Sequence, residues 1–254
     1  SYNKCVFCSM YKDESYEEVP FREIEFELMN GDFYTERVFL TGADPLSIGY
    51  EKMIRILQAI HRYYPYCGCV AAYAAVRTLK QYSVEELNEL HEAGLRLLYV
   101  GFESGSDSVL RMIRKGHTTK DAVEVGQKLN AAKLSFNSIV MYGIAGESAS
   151  EGNAKETAGM LNQFETRKII TMNLTVFHGT EIAELEREGK FKQAGTREKV
   201  EEVRTLLENL DVKTNTEFDT THATNIVKLQ GTLPRDKERL LCKLEELCTD
   251  SNTR

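Results

Sequence analysis

The N-terminal residues contain two cysteines whose spacing suits metal coordination. Cys5 and Cys8 are separated only by Val6 and Phe7. Thiolates are soft ligands that bind zinc or the irons of an iron–sulfur cluster, and two of them this close in sequence can turn toward the same centre. The pair alone leaves three interpretations open: an iron–sulfur site, a zinc site and two uncoordinated thiols.

The other four cysteines do not extend this pair. Cys67 and Cys69 would point to opposite faces of a strand, and Cys242 and Cys248 share no compact ligand face on a helix. Because the chain is long and shows no secretion signal, we expect reduced thiols rather than a disulfide framework. We interpret these four cysteines as structural or incidental.

The composition is typical of a globular protein and disfavours two classes of partner. Of the 254 residues, 42% are hydrophobic and 28% are charged. The 32 basic residues against 39 acidic residues give a formal charge of −7, which disfavours nucleic acid as a partner. No apolar run approaches the roughly 20 residues needed to cross a bilayer, so we expect no membrane segment and a cytoplasmic location.

Short apolar runs alternate with amphipathic helical stretches, which predicts parallel strands joined by right-handed crossovers. Strands are expected at residues 37–40, 69–72, 97–100, 135–141 and 169–177. Helices are expected at residues 50–63, 84–93, 119–132, 154–164 and 198–210. With one further strand expected upstream of Ser1, this pattern predicts an α/β fold of the partial (β/α)₆ TIM-barrel type. Periodicity leaves an open doubly wound sheet as the alternative.

We expect residues 1–254 to form a single domain. Residues from about 212 to 254 are interpreted as a C-terminal extension that packs on the barrel and ends in a charged helix at residues 233–248. In either architecture the functional loops follow the carboxyl ends of the strands. Four such loops are rich in glycine or polar residues, and they lie at residues 42–45, 101–105, 142–147 and 176–180.

Together, the cysteine pair and these loops resemble the radical S-adenosylmethionine (radical SAM) superfamily. That family binds a [4Fe–4S] cluster with three cysteines whose motif ends in Cys-x-aromatic-Cys, which Cys5, Phe7 and Cys8 match. The first cysteine of the motif is expected immediately upstream of Ser1. Residues 221–237 resemble an uncharacterised branch, often labelled Fe–S oxidoreductase, that is related to anaerobic coproporphyrinogen dehydrogenases.

The resemblance implies a radical SAM enzyme. In that family three cysteines leave one iron open to S-adenosylmethionine, and an electron from the cluster cleaves it to a 5′-deoxyadenosyl radical that abstracts hydrogen from a substrate. The implied cofactors are the [4Fe–4S] cluster and S-adenosylmethionine. The implied partners are a small organic substrate and a flavodoxin- or ferredoxin-type electron donor.

The resemblance also implies roles for residues in the loops. The turn of Gly42, Ala43 and Asp44 would meet the amino group of S-adenosylmethionine, with a helix cap as the alternative role of Asp44. Glu103, beside Ser104, is the stronger candidate for that amino group. Arg114 or Lys115 would meet the carboxylate of S-adenosylmethionine. Of the two, Lys115 is expected to be an exposed cation at a helix end rather than a ligand contact.

Further residues are expected around the same site. Gly143, Gly146 and Val176 would lie against the adenine. The remaining candidates follow the third and sixth strands or lie near the C-terminus, and they are Tyr73, Arg77, His178, His222 and Asn225. Of these, Tyr73, His178 and His222 are the candidates for catalytic roles, while Arg77 would bind an anionic group or pair at a helix start. The alternatives are a surface or packing role for His178 and loop anchoring for His222 and Asn225.

Two rival functions stay open at this point. If Ser1 truly replaces the first ligand, the barrel is a non-catalytic descendant that binds a metabolite or partner. Alternatively, Cys5 and Cys8 belong to a zinc-binding interaction domain. A role in tRNA modification is disfavoured by the acidic balance.

Overall fold

The computed structural model describes residues 4–10 and 16–250. Across those residues the chain forms one seven-stranded sheet in which the strands follow the order of the sequence. Strands β1 to β6 are parallel, and β7 runs antiparallel to β6. The strands are β1 (Arg37–Leu40), β2 (Cys69–Ala74), β3 (Leu95–Glu103), β4 (Ser135–Tyr142), β5 (Lys168–Asn173), β6 (Thr216–Asp219) and β7 (Gln230–Leu233).

Helices connect successive parallel strands, as the alternating pattern predicts. Including one helix before β1 and one after β7, the helices are α1 (Phe21–Met29), α2 (Tyr50–Tyr63), α3 (Val76–Leu79), α4 (Val84–Glu92), α5 (Asp107–Met112), α6 (Thr119–Ala131), α7 (Ser150–Leu161), α8 (Glu181–Arg187), α9 (Thr196–Asn209) and α10 (Lys237–Asp250). A short 3₁₀ turn lies at Pro45–Ile48. The capping box of Ser83 and Glu86 is present at the start of α4.

The predicted α/β fold of the partial barrel type is confirmed, but the strand count within the chain is larger than expected. The sequence predicts five strands after Ser1, whereas the described residues contain seven. Strands β6 and β7 lie in the segment interpreted as an extension, and each has only four residues with polar side chains among them. Strands this short and polar give no apolar run to recognise. The strand expected upstream of Ser1 stays a prediction.

Three strand ends differ from expectation and change where site residues lie. Because β2 continues to Ala74, Tyr73 is within the strand rather than in the loop after it. Similarly, β3 continues to Glu103. In contrast, β5 ends at Asn173, so Val176 and His178 lie in the following loop.

Two apolar clusters stabilise the sheet. The larger one lies between the helices and the sheet and includes Leu57, Leu98 and Phe136, all nearly inaccessible to solvent. The smaller one lies at the carboxyl ends of the strands and joins Val6, Ile113, Ile144, Leu174 and Ile182. Such burial stabilises the fold by about 25 cal/mol per Å² of apolar surface removed from water.

The opposite face of the sheet, which we call the open face, carries aromatic side chains. Phe39, Tyr73 and Tyr99 lie in mutual ring contact there, with centroid separations of 5.0 Å, 5.6 Å and 5.9 Å. Phe39 and Tyr73 are both exposed. None of the helices in the described ranges is long and apolar enough to cross a membrane.

Candidate cofactor site at the carboxyl ends of the strands

The cysteine loop is fixed to the protein through Val6. The Val6 amide donates to the carbonyl of Ile113 at 3.2 Å, and the Val6 carbonyl accepts from the Ile182 amide at 3.0 Å. The Val6 side chain is 1% exposed within the smaller apolar cluster, against which Phe7 also packs. These contacts hold the predicted cluster ligands beside the turn after α5 and the start of α8.

The two thiols lie on one turn of this loop. The Cys8 amide donates to the Cys5 carbonyl at 3.2 Å, Cys5 is buried and Cys8 is half-buried. Burial raises the pKa of the Cys5 thiol, and the nearby cation of Lys115 opposes that rise. Two thiols beside a cation suit a thiolate-ligated centre, since a positive charge favours the thiolate form.

The described residues do not by themselves complete a metal site. Within residues 4–10 and 16–250, no group of three or more His, Cys, Asp or Glu side chains is placed to hold a metal ion. The donor set that the loop offers is therefore two thiols, which fits an iron–sulfur cluster once a third cysteine is supplied from upstream. That third ligand stays a prediction.

Glu103 is brought to the site by an irregularity at the end of β3. The register between β3 and β4 shifts between Gly101 and Glu103, and Glu103 has a left-handed backbone with φ of 64°. A bulge of this kind changes the direction of a side chain, and a left-handed glutamate is strained. Strain at a strand end is common in functional sites.

Lys115 is the partner of Glu103. Its Nζ lies 2.7 Å from Glu103 Oε1, and the two side chains are 8% and 10% exposed. Burial acts to lower the pKa of Lys115, but the Glu103 carboxylate and the nearby Cys5 and Cys8 together raise it. The expectation that Lys115 is an exposed cation at a helix end is therefore wrong. Both side chains lie near the Cys5 thiol.

The neighbouring Arg114, unlike Lys115, does not lie in the buried pair. It is exposed, and its guanidinium pairs with Glu181 at the start of α8. Arg77, on α3, is also exposed, and it lines the same cavity as Lys115. Their roles toward a cofactor stay predictions.

The Gly42 turn follows β1 and lies at the edge of a cavity of about 1810 Å³. Of the predicted site residues, this cavity is lined by Gly42, Ala43, Asp44, Arg77, Arg114 and Lys115. Gly42 has a φ of 110°, and no heavy atom lies within 4 Å of the place where a Cβ would be. The turn therefore leaves open space at the backbone, as close approach by a ligand requires.

Asp44 makes local contacts. Its carboxylate accepts from the Ala75 amide at 3.3 Å and from the Thr78 hydroxyl, so that it caps the short helix α3 from a neighbouring loop. Burial raises its pKa. The capping alternative is thus present in the structure, and contact between Asp44 and an amino group stays a prediction.

The Gly143 loop follows β4 in a conformation that requires glycine. Gly143 has a φ of 75°, and a Cβ there would lie 2.7 Å from Lys199 Cε. Gly146 has a φ of 82°, and a Cβ there would lie 2.9 Å from the Lys192 carbonyl. A side chain at either position is therefore both strained and crowded.

This loop and the loop after β3 are tied to helices by buried polar groups. Glu202 on α9 accepts from the Gly143 amide at 2.6 Å and from Asn153 Nδ2 at 2.8 Å. Asn153 Oδ1 in turn accepts from the Ser104 hydroxyl at 2.5 Å. Sequence analysis did not single out Glu202 or Asn153, since a polar residue on an amphipathic helix predicts a solvent-facing position.

The remaining candidates are more scattered. Val176 is half-buried and packs against the smaller apolar cluster, whereas His178 is exposed in the same loop. His222 is exposed and its Nδ1 lies 2.8 Å from the Thr224 hydroxyl. Asn225 anchors its loop by donating to the carbonyls of Thr171 and Thr220 at 2.7 Å and 2.8 Å.

The fold and these loops define the class of the protein: a partial α/β barrel with paired thiols at the carboxyl end of its parallel sheet. Residues 2–158 match the family model described as the Radical SAM superfamily. This match covers more than half of the chain, and the chain belongs to that superfamily. The family resemblance seen in the sequence is confirmed.

Two curated relatives match part of the chain. The chain is 25% identical over 185 residues to the tRNA uridine(34) acetyltransferase of Methanocaldococcus infernus, which covers 72% of this chain and 32% of the relative. It is 26% identical over 113 residues to the heme chaperone HemW of Bacillus subtilis, covering 43% of this chain and 29% of that one. The chain thus spans about a third of the length of the curated relatives it matches.

A solved structure shows the shared fold. Coproporphyrinogen III oxidase (HemN) from Escherichia coli, described as a radical SAM enzyme, superimposes with a TM-score of 0.57 at 14% identity. The match covers 80% of this chain and 48% of that chain.

Proposed function

We propose that the full-length protein is a radical SAM enzyme that holds a [4Fe–4S] cluster through Cys5, Cys8 and a cysteine upstream of Ser1. The observation that carries this proposal is the anchored thiol turn beside the Lys115–Glu103 pair. A zinc-binding loop needs no such neighbours, whereas a site for a zwitterionic ligand requires both a cation and an anion. Family membership supports the same chemistry.

When bound, the cluster supplies the electron that cleaves S-adenosylmethionine to a 5′-deoxyadenosyl radical. The residues of the chain bind and orient the cofactors. Glu103 accepts from the amino group of S-adenosylmethionine, and Lys115 contributes positive charge for its carboxylate. Phe7 packs beneath the cysteine turn and limits access of water to it.

The glycine turns accommodate the rest of S-adenosylmethionine. Gly42 and Ala43 offer backbone at an open turn, and the loop of Gly143 and Gly146 offers backbone groups to the adenine. Val176 contributes an apolar contact from the loop after β5, and Ser104 fixes the loop that carries Glu103.

The open face receives the substrate in this proposal. Tyr73 is exposed there beside Phe39 and the half-buried Tyr99, and it can contact an organic molecule lying over the sheet. We propose hydrogen abstraction from a small organic substrate, with electrons from a flavodoxin- or ferredoxin-type donor. His178 and His222 are exposed and stay candidates for proton transfer.

The test is anaerobic reconstitution of the full-length protein with iron and sulfide. We expect visible cluster absorption, and cleavage of S-adenosylmethionine to 5′-deoxyadenosine when dithionite is added. The variant Cys8→Ser should lose both signals, while the matched control Cys242→Ser, which changes an exposed cysteine far from the loop in sequence, should keep both.

Two results would contradict the proposal. Zinc rather than iron in anaerobically isolated protein would support a zinc-binding interaction domain. A residue other than cysteine at the expected upstream position, with no cluster formed, would support the non-catalytic descendant.

A further inference from the structure

A buried carboxylate on α9 contacts one of the two loops that carry predicted cofactor residues. Glu202 is 2% exposed. Its Oε2 accepts from the Gly143 amide at 2.6 Å, and its Oε1 accepts from Asn153 Nδ2 at 2.8 Å. Each carboxylate oxygen thus satisfies one buried donor, and nothing in the proposed chemistry uses this group.

The second loop is reached through Asn153 on α7, which is 3% exposed. Asn153 Oδ1 accepts from the Ser104 hydroxyl at 2.5 Å, and Ser104 Oγ accepts from the Ser106 amide at 2.9 Å. A continuous buried chain of hydrogen bonds therefore connects α9 with the loop after β3. Ser104 directly follows Glu103, so the chain ends beside the charged pair.

A carboxylate is the group that this arrangement needs. Both partners of Glu202 are donors, and an ionised carboxylate accepts at both oxygens. A glutamine would direct its NH₂ group at one of the two donors and leave that donor unpaired. Loss of a buried partner costs more than the average worth of a hydrogen bond.

The Gly143 loop is also confined from its other side. The left-handed backbone of Gly143 lies against the Lys199 side chain, which is 8% exposed. The loop is therefore packed against Lys199 on one side, and its Gly143 amide donates to the Glu202 carboxylate. Together these contacts allow little movement of the Gly143 backbone.

We infer that Glu202 is a positioning residue that fixes the loops after β3 and β4 relative to each other and so shapes the site for the adenosine part of S-adenosylmethionine. This inference rests on the proposed function. Glu202 itself does not touch the cofactor, and it acts through the Gly143 amide and through Asn153. Positioning of this kind governs affinity and rate because small displacements of a binding loop are costly.

The test uses full-length protein and the variants Glu202→Gln and Asn153→Ala. Glu201→Gln is the matched control, since Glu201 is the neighbouring residue and forms an exposed ion pair with Arg197. The first measurement is amide hydrogen exchange in the absence of cofactor. In Glu202→Gln, exchange should rise at Gly143 and its neighbours while the amides of β4 stay protected. In Asn153→Ala, the rise should be at Ser106 instead.

The second measurement is equilibrium binding of 5′-methylthioadenosine at about pH 8, where the carboxylate is ionised. This probe carries the adenosine part but lacks the amino and carboxylate groups that the cluster and the charged pair would hold. Glu202→Gln should weaken binding by about tenfold, and Glu201→Gln should change it by less than about twofold.

The outcomes separate this inference from the proposed function. If the wild-type protein binds neither 5′-methylthioadenosine nor S-adenosylmethionine, the proposed function fails and the inference fails with it. If the wild type binds but Glu202→Gln binds equally well with unchanged exchange at Gly143, the inference alone is overturned. A uniform rise in exchange across the sheet would also overturn it, because that result indicates a general loss of stability.

Discussion

Glu103 and Lys115 form an ion pair directly over Gly101. A Cβ on Gly101 would lie 2.7 Å from Glu103 Oε1 and 3.1 Å from Lys115 Nζ, so the pair occupies the space that a larger residue would fill. The absence of a side chain at Gly101 thus allows two charges to meet at the end of β3. Both side chains are buried, so removing one of them would leave the other as an unpaired buried charge.

This dependence gives a first prediction, for Lys115→Met. The change leaves the Glu103 carboxylate buried without its cation, and the free energy of unfolding should fall by about 3–5 kcal/mol. Urea denaturation of the variant and the wild type measures this free energy. The control Arg114→Met removes only an exposed pair with Glu181 and should cost less than about 1 kcal/mol. Equal losses in the two variants would refute the importance of the buried pair.

A second prediction compares two glycines. Gly143→Ala places a Cβ in a left-handed conformation against Lys199 and should lower the free energy of unfolding by roughly 1–3 kcal/mol. Gly152→Ala changes an exposed position inside α7 where no heavy atom lies within 4 Å of the new Cβ. It should raise stability by about 0.5–1 kcal/mol because alanine is the better helix former. Thermal unfolding of both variants and the wild type tests this comparison. Changes in stability of the same sign in the two variants would contradict the prediction.

A third prediction concerns the thiols of cluster-free protein. Cys5 is 5% exposed and burial raises its pKa, while Cys242 is exposed. Iodoacetamide should therefore modify Cys5 at least about tenfold more slowly than Cys242, because less thiolate is present and access is limited. Mass spectrometry of the peptides over time gives both rates. In urea the two rates should converge, and equally fast modification in native protein would show that the cysteine loop is not anchored through Val6.

The parts of the fold with strong local signals could be predicted from the sequence. Helix α2 was expected at its observed bounds since its apolar positions repeat with helical period, and Ser83 marked the start of α4. Strands β6 and β7 were not found because their stability comes from pairing with neighbours rather than from apolar side chains of their own.

The site was predictable to the level of loops but not of side chains. Parallel topology places the loops containing Gly42, Glu103 and Gly143 at one edge of the sheet. The orientation of Lys115 was not predictable from helical period, since α5 ends at Met112 and the left-handed backbone of Arg114 changes the chain direction between the two basic residues. Glu202 was missed because its partners come from distant parts of the chain, which sequence spacing does not reveal.

Glu202 leads to the last prediction, on pH. Burial raises the pKa of this carboxyl from 4.5 to about 7, against the opposing hydrogen bonds from Asn153 and Gly143. A carboxyl whose pKa is raised on folding binds more protons in the folded state, so its contribution to stability is complete below pH 4.5 and is lost as the pH rises through about 7. The free energy of unfolding of the wild type relative to Glu202→Gln should therefore fall over that window by up to roughly 3 kcal/mol.

Urea denaturation of both proteins at several pH values measures this difference. The charged and titratable neighbours of Glu202 are Glu198 and Lys199 on α9 and Tyr142 on β4, and they are present in both proteins, so their direct contributions largely cancel. If the curves of the wild type and Glu202→Gln are parallel between pH 4.5 and about 7, the carboxyl is ionised throughout and burial does not control its charge.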